Sequence, residues 1–176
     1  MGEPEEAQAG TQPAGEQKKK EVASRGIPSS DSLYLPAHYS EELRAFQDKE
    51  ENLTRNLWSL EEVLNFVFPK RYQRKYHETA LAFMTLLSEK ISMRGHEINS
   101  FVLQNNISKA TFYNRVLPRL KRIGMLKVER ETVIAEESRR KFRPMTISLS
   151  KTFGNYLMKI GDSWLAAVDD ARSRKK

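Results

Sequence analysis

The chain has 176 residues, a formal net charge of +7, 39% hydrophobic and 30% charged residues, and no cysteine. This length and apolar content allow one compact core with a tail to spare, and the missing cysteines exclude a disulfide framework and any thiolate metal site. No apolar run approaches the ~20 residues that span a bilayer, and the opening MGEPEEAQAG lacks the apolar centre of a signal peptide. The expectation is a soluble, cytoplasmic protein with no membrane association, nucleoid-associated if its source is prokaryotic.

Charge is unevenly distributed. Residues 1–56 carry seven Lys/Arg and eleven Asp/Glu, a net of −4, whereas 107–143 carry eleven against four, a net of +7. A localised positive stretch points to a polyanionic partner.

Residues 1–36 are rich in Glu, Gln, Ala, Gly, Ser and Pro, with almost nothing large and apolar before Leu33, Tyr34 and Leu35. Such a segment buries too little surface to offset its ordering entropy and reads as a disordered polar tail. Lys18, Lys19 and Lys20 read as solvated tail rather than a phosphate site. Residues 37–56 read as a charged helical linker, the helical pattern lying over 40–56 with Leu43, Phe46, Leu53 and Leu57 as a thin apolar stripe. Ser59 and Glu62 have the spacing of a capping box. Leu60, Val63, Leu64 and Val67 follow at helical spacing until Pro69.

A longer helix is predicted from Tyr72 to Ser92, with Tyr76, Ala80, Phe83, Met84, Leu87 and Ile91 on one face. Lys70, Arg71, Arg74 and Lys75 crowd its start, against the macrodipole. They read either as an exposed cluster or as a sign of a nearby phosphate. Gly95 breaks the pattern. Ile98, Phe101 and Val102 mark a short helix ending at Asn105–Asn106, where Asn tolerates the left-handed backbone of a tight turn. Ser108 is a good N-cap for a helix bearing Phe112, Val116, Leu120 and Ile123, and Gly124 ends it.

Two β runs follow. Leu126, Val128, Thr132, Val133 and Ile134 form the first. Met145, Ile147 and Leu149 alternate with Thr146 and Ser148 in the second. They make a hairpin whose tip, AEESRRKFRP, is polar and basic. From Lys151 to Arg172, Phe153, Tyr156, Leu157, Ile160, Trp164, Ala167, Val168 and Ala171 form a helical stripe. Two readings of that stripe stay open. It packs on the first helices, or it forms a homodimer interface through the 151–172 helix, which would set two recognition helices one DNA turn apart.

The order is helix, short helix, tight turn, helix, β-hairpin, helix. The segment from Ile107 to Leu126 resembles the recognition-helix region of winged helix-turn-helix proteins, in particular the MarR-like and PadR-like regulators and their archaeal relatives. A branched apolar residue precedes the cap (Ile107, Ser108). A Thr-aromatic pair follows (Thr111, Phe112), then a core Leu (Leu120), a Gly (Gly124) and an apolar pair opening the wing strand (Met125, Leu126). The resemblance covers about residues 75–150. It implies a mainly α fold with a small β-hairpin wing and flanking N- and C-terminal helices, spanning 57–172. It departs from the family where Asn106 stands in place of the usual Gly. It departs again where Pro118 falls inside the recognition helix, which predicts a kink or a split after Val116.

The functional expectation is double-stranded DNA binding, as in transcriptional regulation, with the 108–123 helix in the major groove. With Phe112, Val116, Leu120 and Ile123 inward, the opposite face shows Lys109, Ala110, Tyr113, Asn114 and Leu117. Asn114 suits adenine, Lys109 guanine or phosphate, and Ala110 a thymine methyl. Ser108 and the free N–H groups of the first turn suit a phosphate, and Thr111 belongs to the same expected DNA-binding set. Tyr113 either contacts DNA or packs as a rim residue on the preceding helix. Arg115 and Arg119, with Lys121 and Arg122, divide between backbone contact and exposed surface. Arg139, Arg140, Lys141 and Arg143 on the hairpin tip suit phosphates or a narrow minor groove.

Catalysis is not expected. His38, His77 and His96 are scattered with no partner at metal-ligand spacing, and no phosphate-loop, dinucleotide, nucleophile-elbow or zincin motif is present. No cofactor, metal or small-molecule ligand is called for. The rival reading is a winged-helix protein-interaction or RNA-binding module within a nucleoprotein assembly.

Overall fold

Ser59 opens the first helix through a closed capping box. Its hydroxyl accepts the Glu62 N–H at 3.3 Å, and the Glu62 carboxylate accepts the Ser59 N–H at 2.6 Å. The Ser59 hydroxyl and N–H also hold the Glu62 carboxyl below its ordinary pKa. Helix α1 (Leu60–Val67) buries Leu64 and Val67. The structure, a computed structural model, describes residues 33–40, 43, 46–130, 132–134 and 141–174. The tail expected over 1–36 therefore lies almost wholly outside the described residues. Its last part belongs to the fold: Leu33 packs on the core, and the Tyr34 N–H donates to Phe66 O at 2.7 Å.

Over its described residues from 46 to 56, the predicted 40–56 helix is not formed. Over 46–58 the chain is a strap held by an antiparallel bridge between Gln47 and Leu53. Asp48 organises it, its carboxylate accepting the N–H groups of Glu50 at 2.9 Å and Asn52 at 2.8 Å. A side chain that captures nearby backbone donors competes with a helix for them.

Helix α2 (Lys70–Lys90) buries Ala80, Phe83, Met84 and Leu87 as its periodicity predicts. Ile91 does not join that face. It is exposed at φ 67° and turns the chain into strand β1 (Ser92–Arg94), which is too short to betray a period of two. Helix α3 (Gly95–Gln104) starts at the glycine that breaks the preceding pattern, and buries Ile98, Phe101 and Val102. Asn106 takes the left-handed conformation, φ 51°.

The next helix runs in three pieces: α4 (Lys109–Thr111), a π-helical turn (Phe112–Val116) and α5 (Leu117–Arg122). Strand β2 (Leu126–Arg130) then pairs antiparallel with β5 (Met145–Leu149), from Leu126 opposite Leu149 to Arg130 opposite Met145. The hairpin continues outward as β3 (Val133–Ile134) against β4 (Lys141–Phe142). β5 also pairs with β1, giving a three-stranded antiparallel sheet in the order β1-β5-β2. The fold is thus mainly helical with one small antiparallel sheet. Its core lies where Phe83 of α2, Phe101 of α3 and Phe112 meet, with Met93 and Ile147 closing it from the sheet.

Helix α6 (Thr152–Ser173) follows the sheet directly and contains no buried residue. Its first turn is fixed to Gly124, whose carbonyl accepts the Phe153 N–H at 3.0 Å. Gly124 stands at φ 83°, and a Cβ there would meet Thr152 Cβ and Cγ2 at 3.0 Å and Phe153 N at 3.2 Å. Gly124→Ala meets both a left-handed backbone and a close approach. It is expected to destabilise the fold by about 2 kcal/mol, read as a lower midpoint in urea unfolding.

Candidate nucleic-acid interface

The interface candidate is built around the tight turn at Asn105–Asn106. The Ile107 N–H reaches back to Val102 O at 3.0 Å, which sets the angle between α3 and the following helix. Ser108 caps that helix as predicted, its hydroxyl accepting the Thr111 N–H at 3.5 Å. Phe112 is fully buried and anchors the first turn, with its ring 4.9 Å from Phe83 and 6.0 Å from Phe101.

Pro118 leaves its mark one turn early. It has no N–H for the carbonyl of Asn114, and its ring crowds that turn. The helix widens ahead of it, and the Leu117 N–H bonds to Phe112 O, five residues back. The added residue per turn changes the phase of the apolar stripe. Val116 and Leu117 are both buried, and Leu117, expected on the outer face, belongs to the core. The helix is divided after Val116, where the π turn gives way to α5, and its backbone stays helical through Val116 and Leu117.

What remains outside is Ser108, Lys109, Ala110, Asn114, Arg115, Pro118, Lys121 and Arg122, with Thr111 partly covered. These positions recur about once per turn along one side. Asn114, Arg115, Pro118, Arg119 and Arg122 border a shallow groove of about 290 Å³. No acidic residue occurs between Glu97 and Glu129, so no carboxylate of this segment neutralises the cations.

Two predicted site residues are placed differently. Arg119 is 6% exposed. Its guanidinium lies 5.0 Å over the Phe68 ring and donates to Gln73 Oε1 at 3.4 Å, and burial pulls its pKa below the ordinary arginine value. It joins α5 to the start of α2 and is not part of the exposed cationic set. Tyr113 is half-buried. Its hydroxyl donates to Asn99 Oδ1 of α3 at 2.8 Å, and burial raises its pKa. It holds the two helices together, as the rim reading has it.

The cluster at the start of α2 is largely accounted for by local partners. Lys70 pairs with Glu61 at 2.7 Å and Arg74 with Glu78 at 2.7 Å, while Arg71 lies over Tyr72. Gln73 breaks the helical backbone there (φ −132°, ψ 43°), which the sequence does not signal. Of the wing cations, Arg143 is exposed. Lys141 lies in β4, and Arg139 and Arg140 lie outside the described residues. Among the described residues no group of three or more His, Asp or Glu side chains is placed to hold a metal ion, and no helix is long and apolar enough to cross a membrane.

Comparison with protein-family models, curated proteins and solved structures gives no match. The functional reading therefore rests on this surface alone. Its parts are a capped helix whose outer side carries cations and no carboxylate of its own segment, and a β-arm, β3–β4, that extends the β2–β5 hairpin following that helix.

Proposed function

We propose that residues 57–172 form a winged helix-turn-helix domain that binds double-stranded DNA and acts by occupying it, as a transcriptional regulator does, with no chemistry of its own. The order of elements supports this reading: helix, strand, helix, turn, helix, then a hairpin whose returning strand pairs with the first strand. In that arrangement the helix after the turn is the one presented to the major groove.

The observation that carries the proposal is the exposed side of the 109–122 helix. Lys109, Ala110 and Asn114 stand near its N-terminal end, where recognition helices reach base edges. Arg115, Lys121 and Arg122 flank them within reach of phosphates. Arg143 at the base of the outer β-arm adds a cation beyond the helix. Tyr113 and Arg119 shape the site from behind without facing the duplex.

Five exposed cations, Lys109, Arg115, Lys121, Arg122 and Arg143, set the expected salt dependence. If each neutralises one phosphate, the log–log slope of affinity against salt is about −4.5 for a duplex. Fluorescence anisotropy on mixed-sequence duplexes between about 50 and 200 mM salt measures it. Absence of duplex binding at the low-salt end, with tight binding to an acidic protein or to RNA, refutes the DNA reading and favours an interaction module.

A further inference from the structure

Helix α6 carries a large apolar surface that stands exposed among the described residues. It is about 33 Å long, and Tyr156 (63%), Ile160 (51%) and Trp164 (69%) stand exposed along it. Phe153, Leu157, Ile160, Trp164, Ala167 and Ala171 are spaced four, three, four, three and four residues apart, the alternation of a two-helix seam. Past Phe153, whose side chain packs partly on the core, the body touches a different side. Gly154 and Met158 border a groove of about 790 Å³ with the 46–58 strap, and Arg172 pairs with Glu51 at 3.3 Å. Met158 sits about 140° and Arg172 about 100° round the helix from the centre of the seam, given ~100° per residue.

Side-chain size along the seam is graded. The first half holds Phe153 and Leu157, the middle Ile160 and Trp164, and the last half Ala167 and Ala171. Paired in parallel with a second α6, large residues would meet large ones and alanines would face alanines, leaving strain at one end and voids at the other. Reversing the partner removes both faults. Phe153 then meets Ala171, Leu157 meets Ala167, and Ile160 meets Trp164. Phe153 already packs partly on the core, so a small partner suits the restricted space at that end. The flanks agree as well: Tyr156 falls beside Asp170 of the other copy, and Gly161 faces Gly161 with nothing within 4 Å of its added Cβ.

We propose that the exposed seam of α6 binds α6 of a second copy of this chain in antiparallel register, centred between Ile160 and Trp164. The area suffices. The exposed aromatic and aliphatic side chains of the seam and its flanks bring on the order of 500 Å² per copy, so the pair reaches the ~1,000 Å² of a specific interface.

The pairing is tested on the full chain without DNA, so its failure leaves the nucleic-acid reading standing. Sedimentation equilibrium at tens of micromolar should give a dimer mass, and Trp164→Glu a monomer with unchanged circular dichroism. The chain has no cysteine, so introduced thiols are unambiguous. Leu157→Cys and Ala167→Cys are each expected to stay uncross-linked alone in a glutathione buffer and to form a disulfide when mixed. The Cα atoms of equivalent Leu157 positions in the antiparallel pair stand about 15 Å apart along the axis, beyond the ~7 Å a disulfide spans. A monomer mass for the unmodified chain, cross-linking of Leu157→Cys with itself, or a dimer whose mixed variants do not cross-link would each overturn the proposal.

Discussion

Phe112→Ala is expected to destabilise the protein by about 3–5 kcal/mol, among the largest losses for a single truncation in this core. Phe112 is fully buried, and its ring meets Phe83 of α2 and Phe101 of α3, which also touch each other at 5.5 Å between centroids. Removing it takes away burial worth several kcal/mol and two aromatic contacts of about 0.5–1.5 kcal/mol each. The surrounding helices collapse only partly into such a space, and that adds a cavity cost. Against a typical stability of about 5–15 kcal/mol, this leaves a marginal protein. Urea unfolding followed by circular dichroism measures the loss. Phe112→Leu keeps most of the volume and is expected to cost less than half as much. Because Phe112 anchors the capped turn as well as the core, the alanine variant should also lose nucleic-acid binding at temperatures where it is partly unfolded. The leucine variant should retain it.

What could be read from the sequence follows from the range of the interactions involved. The Ser59–Glu62 capping box, the left-handed Asn106, the Ser108 cap and the terminating Gly124 are all local, and each is where its spacing predicts. The strongly periodic faces of α2 and of the 109–122 helix are local too, and they hold except at Ile91, where α2 ends, and where the π turn moves Leu117 inward. Pro118 marks a break in the sequence, but how the helix absorbs it depends on the packing of Val116 and Leu117 together. The 40–56 segment failed because its apolar stripe is thin, so the short-range capture of backbone donors by Asp48 prevailed over weak helical periodicity. Strand β1 was missed because three residues cannot display alternation, and its identity comes from pairing with β5 more than fifty residues later.

Arg119 shows the same limit inside the candidate site. Its sequence neighbours are basic, so it reads as one of a cationic group. What removes it from that group is Gln73, forty-six residues away, and the ring of Phe68. The aliphatic stem of an arginine lets it line an apolar interior while its head finds polar or aromatic partners. Neither partner has any periodic relation to it in the chain. For α6 the sequence shows the stripe without saying what covers it, and the structure narrows the question by leaving the seam outside.

The second large effect separates the exposed cations from the buried one. The triple variant Arg115→Ala/Lys121→Ala/Arg122→Ala is expected to weaken duplex binding by about 10²–10³-fold near 100 mM salt. Each phosphate contact contributes roughly a factor of 10^0.9 per decade of salt below 1 M. The loss should be the same for all sequences, and the salt slope should flatten by about 2.7, from roughly −4.5 to −2. Asn114→Ala should behave differently. A bidentate contact to adenine is worth about 1–3 kcal/mol against other bases, so its removal should compress the difference between preferred and non-preferred duplexes while leaving the slope in place. Arg119→Ala should do neither. The side chain is buried over Phe68, so its loss should lower the unfolding midpoint and leave the salt slope of the remaining folded protein unchanged. A duplex affinity that depends on Arg119 as steeply as on Arg115, at equal folded fraction, would mean that the DNA-facing side has been assigned to the wrong side of the helix.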